Sequence, residues 1–259
     1  MSFKSLIERL NYLHEFSAIP YFIQIPSLLL GIPKEPTKLH VSQCIEQAMS
    51  ANIIEALHYF LPQQFLDHLE EQKLLERESF RLGYQLLLYL LVRKYKPDVF
   101  VETGVARGVT SAYILCAMRE NARGHLYSID LPAKLACTES DTSGNKQIYQ
   151  LADGQIHHDY EVGYLVPEYL KDSWTLILGD ARQELPQLLD KLGQVDIFLH
   201  DSLHTYDHMM LEYQTAYPHI VEGGLLLSDD VLWNRAFYDF CKNQEKKPII
   251  YRTLGILSK

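Results

Sequence analysis

The chain has 259 residues, 47% of them hydrophobic and 22% charged, values that exclude a disordered, collagen-like or coiled-coil protein and leave a large globular domain or a domain with an appendage. Lys and Arg number 24 against 33 Asp and Glu, a formal charge of −9. No dense basic run appears, so nucleic acid is not an expected partner, because phosphate neutralisation needs clustered cations. The cysteines, Cys44, Cys116, Cys137 and Cys241, are scattered and form no C-x-x-C, which reads as free thiols in a reducing, cytoplasmic setting.

From Ser2 to about Lys96 the sequence reads as helices joined by short breaks. The N-terminal stretch, Ser5 to Phe16, is amphipathic and lacks the continuous apolar core of a signal peptide. Phe16 to Pro33 is apolar but interrupted by three prolines and a Gln, so no membrane insertion is expected. Within it, Tyr21 to Leu30 could cover a pocket or join two copies in a homo-oligomer. Val41 to Phe60 has helical apolar spacing, and Leu66 to Glu78 is a charge-rich surface helix. Phe80 to Tyr95 gathers Arg93, Lys94 and Lys96 at its end, where cations favour a helix C-terminus, and Pro97 closes it. Residues 1–80 are therefore expected to form a helical extension and 81–259 the main domain.

Beyond Lys96 short apolar runs alternate with helical patterns. The runs are 98–104, 125–130, 174–180, 195–201 and 223–230, with helices near 110–120, 181–192, 204–217 and 232–242. Continuous apolar strands separated by helices predict an α/β fold with a mostly parallel sheet covered on both faces. The tail, PIIYRTLGILSK, is read as a closing antiparallel hairpin around Thr253. Asp130, Asp180, Asp201 and Asp229-Asp230 end their runs, and Glu102 lies at the carboxyl end of the remaining one. Ligands of open α/β sheets bind at that edge. The long connection 131–173 is read as a lid with helical ends.

Asp98 to Ser111, DVFVETGVARGVTS, is a strand, a glycine-punctuated turn through Gly104 and Gly108, and the start of a helix whose free N–H groups face the loop. Position 106 is Ala and no Lys follows Gly108, so neither a dinucleotide G-x-G-x-x-G nor a P-loop is present. The pattern E-x-G-x-x-x-G resembles the first motif of class I S-adenosylmethionine-dependent methyltransferases. That resemblance implies a Rossmann-like methyltransferase fold in which Glu102, Gly104, Gly108 and Thr110 hold the methionine part of the cofactor. Asp130 would hold its ribose, a device that NAD-binding folds share. Gly179, Asp180, Ala181 and Arg182 would flank its adenine, and Asp180 is also placed to cap the following helix.

Val195 to Trp233 holds Asp201 at one strand end and Asp229-Asp230 at the next. Like charges about 4 Å apart cost on the order of 4 kcal/mol at an effective dielectric of 20, so this cluster calls for a cation or for raised pKa values. An all-oxygen set suits Mg²⁺, Ca²⁺ or Mn²⁺. The D-x-x-H of Asp201 and His204 and the segment GGLLLSDDVLW resemble the metal-dependent O-methyltransferases related to catechol and caffeoyl-CoA O-methyltransferases. They resemble more specifically the bacterial methyltransferase family 24, which includes macrolide-sugar O-methyltransferases. The resemblance implies Asp201, Asp229 and Asp230 as ligands of Mg²⁺ or another divalent cation, and His204 as the base.

The expected reaction is methylation of a hydroxyl on a small-molecule acceptor, a sugar, glycoside or phenol, with His204 taking the proton. Trp233 and Tyr206 are candidates for the pocket wall. His157-His158 fall in the long connection, and His200 and His208 have no assigned role. Two alternatives stand beside this: a nicotinamide-binding oxidoreductase of Rossmann type, and a repurposed or inactive methyltransferase-fold binding protein.

Overall fold

The computed structural model describes residues 57–58, 60–77, 79–132 and 161–259, without the side chains of 76, 77 and 79–83. The expected helices over 5–16 and most of 41–60, the proline-interrupted segment, and positions 133–160 with His157 and His158 lie outside the described residues. The chain divides into two compact units, Met1–Lys96 with Ile249–Arg252, and Pro97–Pro248 with Thr253–Lys259.

In the first unit, α1 (Gln63–Glu71) follows Pro62 and buries Phe65, Leu66 and Leu69 along one stripe. The short α2 (Leu74–Arg77) comes next, then α3 (Ser79–Tyr95), which carries Arg93 and Lys94 in its last turn. A residue before proline is pushed out of the right-handed helical region, and Lys96 takes φ +48° there, ending α3 where the sequence places its end.

The sheet has seven strands: β1 (Val99–Thr103), β2 (His125–Asp130), β3 (Trp174–Leu178), β4 (Val195–His200), β5 (Ile220–Ser228), β6 (Ile249–Tyr251) and β7 (Leu254–Ser258), in the order β3-β2-β1-β4-β5-β7-β6. Strands β1 to β5 pair in parallel, and β7 runs antiparallel to β5. Connecting helices are α4 (Val109–Asn121), α5 (Ala181–Leu192), α6 (Tyr206–Ala216) and α7 (Ala236–Asn243). Phe100, Val101, Ile197, Phe198, Leu199, Leu225, Leu226 and Leu227 are buried, as unbroken apolar runs require in a sheet covered on both faces.

Register is what builds the site. Thr103 pairs with Ile129 on one side and His200 on the other, and His200 pairs with Ser228. The ladder then runs one step past the strands: Gly104 N–H donates to Ile129 O, Asp201 N–H to Thr103 O, and Asp229 N–H to His200 O, each at 2.8 Å. Gly104, Asp130, Asp201 and Asp229 therefore stand in one row along the carboxyl edge.

Candidate active site

The row begins with the glycine turn. Gly104 has φ +84° and Gly108 φ +88°, and Ala106, where a dinucleotide motif would have glycine, also sits in the left-handed region at +48°. Asp130 Oδ2 accepts the N–H groups of Val105 and Ala106 at 2.6 and 2.8 Å. The acid read as a ribose ligand thus braces the turn that precedes α4. Gly163 N–H donates to Ala106 O and Leu165 N–H to Arg107 O, both at 2.9 Å, so the last part of the long connection pairs with the turn. A Cβ on Gly108 would lie 2.8 Å from Gly163 Cα, and one on Gly163 would lie 2.3 Å from Trp174 Cη2. Only glycine permits that stack.

Glu102 is fully buried below the turn. Its Oε1 accepts Ser111 Oγ at 2.5 Å and Ser128 Oγ at 2.6 Å, and Ser128 in turn accepts Trp174 Nε1–H at 2.7 Å. Oε2 has no hydrogen-bond partner. Burial pushes this carboxyl up to about 7, against the two serine hydrogen bonds that pull it down. Thr110 stands part-exposed in the first turn of α4.

At the β3 end, Gly179 N–H donates to Asp130 O at 2.8 Å. Asp180 caps α5 by accepting Arg182 N–H at 2.9 Å and forms an ion pair with the Arg182 guanidinium. Burial works against the Asp180 charge, but the Arg182 side-chain and backbone hydrogen bonds outweigh it and hold the carboxyl below its ordinary value. Ala181 is buried, while Leu131 and Leu178 are exposed large apolar side chains after β2 and at the end of β3.

On the other side of the row, His204 stands between two carboxylates, Nε2 lying 3.9 Å from Asp201 Oδ1 and 4.0 Å from Asp230 Oδ2. Its carbonyl accepts Asn234 Nδ2–H at 3.2 Å, and Asn234 Oδ1 accepts Ala236 N–H at 2.8 Å, across Arg235, the N-cap of α7. Asp230 takes φ +49°, a conformation open to few residues besides Gly, Asn and Asp. Asp229 points elsewhere, its Oδ1 accepting Thr253 Oγ1–H at 2.7 Å. Among the described residues no group of three or more His, Cys, Asp or Glu side chains is placed to hold a metal ion. Asp201, Asp229 and Asp230 are therefore not gathered into the three-carboxylate cage expected of them. Trp233, 51% exposed, has its ring centroid 5.4 Å from that of His204. The Tyr206 hydroxyl, also exposed, reaches Asp239 Oδ2 at 3.4 Å.

A seven-strand sheet, parallel from β1 to β5 with β7 antiparallel, carrying a glycine turn and acids along its carboxyl edge, is a Rossmann-like α/β fold. The family model for a methyltransferase domain, Methyltransf_24, matches residues 101–231, just over half of the chain, and the chain belongs to that family. No curated protein matches it in sequence. Among solved structures it is similar to the S-adenosylhomocysteine-bound methyltransferase PaMTH1 of Podospora anserina, at 14% identity and a TM-score of 0.51, over 88% of this chain and 99% of that one. It is also similar to the O-methyltransferase NovP, at 16% identity and a TM-score of 0.50, over 69% of this chain and 79% of that one. At these identities the likeness is one of fold. Among the described residues no helix is long and apolar enough to cross a membrane.

Sequence reading passed over Glu212, Asn234 and Thr253. Only Glu212 left a signal. It sits on the α6 stripe formed by Met209, Tyr213 and Ala216, all buried, where a charged residue needs a reason.

Proposed function

We propose that the protein is an S-adenosylmethionine-dependent O-methyltransferase acting on a hydroxyl of a small ring-bearing molecule, a sugar, glycoside or phenol. The observation that carries this reading is the position of His204. Its Nε2 lies between Asp201 and Asp230 on the strand edge that the glycine turn shares.

The cofactor is supported by Glu102 Oε2, a buried acceptor with no hydrogen-bond partner next to the glycine turn. Glu102, Gly104, Gly108 and Thr110 would hold its methionine part, Asp130 its ribose, and Gly179 to Arg182 its adenine. When bound, it supplies a methyl group on a sulfonium sulfur, open to attack by an oxygen nucleophile.

His204 Nε2 is buried in this structure, so it takes the acceptor's hydroxyl proton once the acceptor displaces what covers it. The carboxylates on either side stabilise the imidazolium that results, and a base of this type works near neutral pH. Asn234 fixes the His204 backbone, and the half-exposed face of Trp233 receives the flat side of the acceptor ring. Alignment of hydroxyl and base supplies most of the acceleration. Mg²⁺ or another divalent ion on the acidic rim stays in this reading as a requirement to be tested, because Asp201, Asp229 and Asp230 are not gathered around one point among the described residues.

Calorimetric titration with S-adenosylhomocysteine and with NAD, each in Mg²⁺ and in EDTA, tests the cofactor. Binding of the first and not the second is expected. A panel of catechols, phenols and methyl glycosides with labelled S-adenosylmethionine then tests the reaction. His204→Asn should abolish transfer and leave S-adenosylhomocysteine binding within about threefold. NAD binding, or undiminished transfer in His204→Asn, would overturn the reading.

A further inference from the structure

A second polar cluster lies beneath the His204 rim, and the proposed chemistry does not use it. Its centre is Glu212, fully buried on α6. Four side chains donate to its carboxylate. Thr103 Oγ1 at 2.5 Å and His200 Nδ1 at 2.6 Å reach Oε2, while Ser202 Oγ and His208 Nε2, each at 2.8 Å, reach Oε1. A carboxylate has roughly four acceptor sites, so this one is saturated. Burial alone would push Glu212 up, yet the charge and hydrogen bonds of His200 and His208 overcome it and hold the carboxyl well below the ordinary range.

The donors come from the places where the site must be exact. Thr103 ends β1 and precedes the glycine turn. His200 ends β4, and Ser202 follows it, so the two flank Asp201. His200 Nε2 is buried with no hydrogen-bond partner, which leaves Glu212 as the polar group that orients this ring. The His200 ring meets the His204 ring edge to face, centroids 5.3 Å apart. The imidazole that Glu212 holds is thus a wall against which His204 packs.

We propose that Glu212 is a positioning residue for methyl transfer, fixing the Asp201–His204 loop through His200 and Ser202 and tying it to the end of β1 through Thr103. The proposal rests on the reading of His204 as the base. A displacement of about 1 Å at a reacting group costs on the order of 10²-fold in rate, and a saturated buried carboxylate supplies that rigidity where loop backbone alone would not.

The test uses the full chain with Glu212→Gln, and with Thr103→Val and Ser202→Ala, which each remove one donor and spare the fold should Glu212→Gln fail to fold. S-adenosylhomocysteine calorimetry, steady-state kinetics with whichever catechol, phenol or methyl glycoside the panel shows to be methylated, and imidazole NMR of ¹⁵N-histidine-labelled protein are read together. Expected for Glu212→Gln are S-adenosylhomocysteine affinity within threefold, KM within threefold, kcat down about 10²-fold, and displaced His204 ring resonances. The single-donor variants should lose about tenfold in kcat. Turnover within threefold of the unaltered protein in the folded variants overturns the proposal. If the unaltered protein methylates none of the panel, the functional reading fails by itself, and NMR still decides the clamp: His204 resonances that move in Glu212→Gln support it, and unmoved ones overturn it.

Discussion

The backbone oxygen of Asp201 lies 1.9 Å from where a Cβ on Gly104 would sit, and Gly104 has φ +84°. The obstruction is main chain on a neighbouring strand end, which no rotamer change relieves. Gly104→Ala should therefore cost about 3 kcal/mol or more, combining left-handed strain with overpacking. Gly193→Ala is the control, since Gly193 has φ +75° and ψ −56° but nothing within 4 Å of an added Cβ; strain alone, about 2 kcal/mol, is expected there. Urea unfolding of the two variants checks the difference, and Gly104→Ala should also lose S-adenosylhomocysteine binding.

Glu102 and Glu212 are both buried acids with opposite pH signatures. Glu102 is raised from 4.5 to about 7, so the folded state keeps a proton that the unfolded chain has released. Stability falls as pH rises from about 4.5 to about 7 and is flat above, a loss on the order of 3 kcal/mol from this group. Glu102→Gln should flatten that slope in denaturant titrations between pH 5 and 8, whatever its effect on absolute stability. Glu212 is lowered, so its contribution is complete above 4.5 and is lost as pH falls below that value. The deficit of Glu212→Gln should accordingly shrink in acid.

Asn234 does two jobs with one amide, accepting the Ala236 N–H at the start of α7 through Oδ1 and holding the His204 carbonyl through Nδ2. Asn234→Ala should cost about 1–2 kcal/mol for the two lost hydrogen bonds and lower turnover as well. Asn234→Asp keeps the acceptor and removes the donor. It sets a carboxylate oxygen against the His204 carbonyl, so it should cost about 1–3 kcal/mol and lose turnover, which thermal unfolding and kinetics on the same preparations would show.

Trp233 offers an exposed ring face beside the base. Trp233→Ala should raise the acceptor KM about tenfold, the scale of one stacking contact, while Trp233→Phe stays within about threefold of the unaltered protein. S-adenosylhomocysteine affinity should be the same in both variants. With only two tryptophans in the chain, quenching by a bound catechol should vanish in Trp233→Phe if this is the face that stacks.

Much of the fold is legible in the residues themselves because its signals are local. Apolar runs ending in Asp130, Asp201 and Asp229 state both the strand and its carboxyl end, and the alternation with helices implies parallel pairing. The His204 neighbourhood could be read from spacing, since Asp201 and His204 are three residues apart and adjacent strands bring Asp230 to the same edge. What could not be read is where each carboxylate points. Asp229 turns to Thr253 and Asp130 braces Val105 and Ala106, and both depend on partners 24 or 25 residues away.

The sequence by itself determined the strand and helix pattern, the glycine turn and the acids that line the carboxyl edge, because periodicity, glycine and strand-end acids act over a few residues. The tertiary structure alone decided that Glu102 is a buried acid under the turn and that Glu212 gathers Thr103, His200, Ser202 and His208. Thr103 and Glu212 are 109 residues apart, and nothing local to either announces the other. A buried carboxylate is stable only where the packed fold supplies its donors.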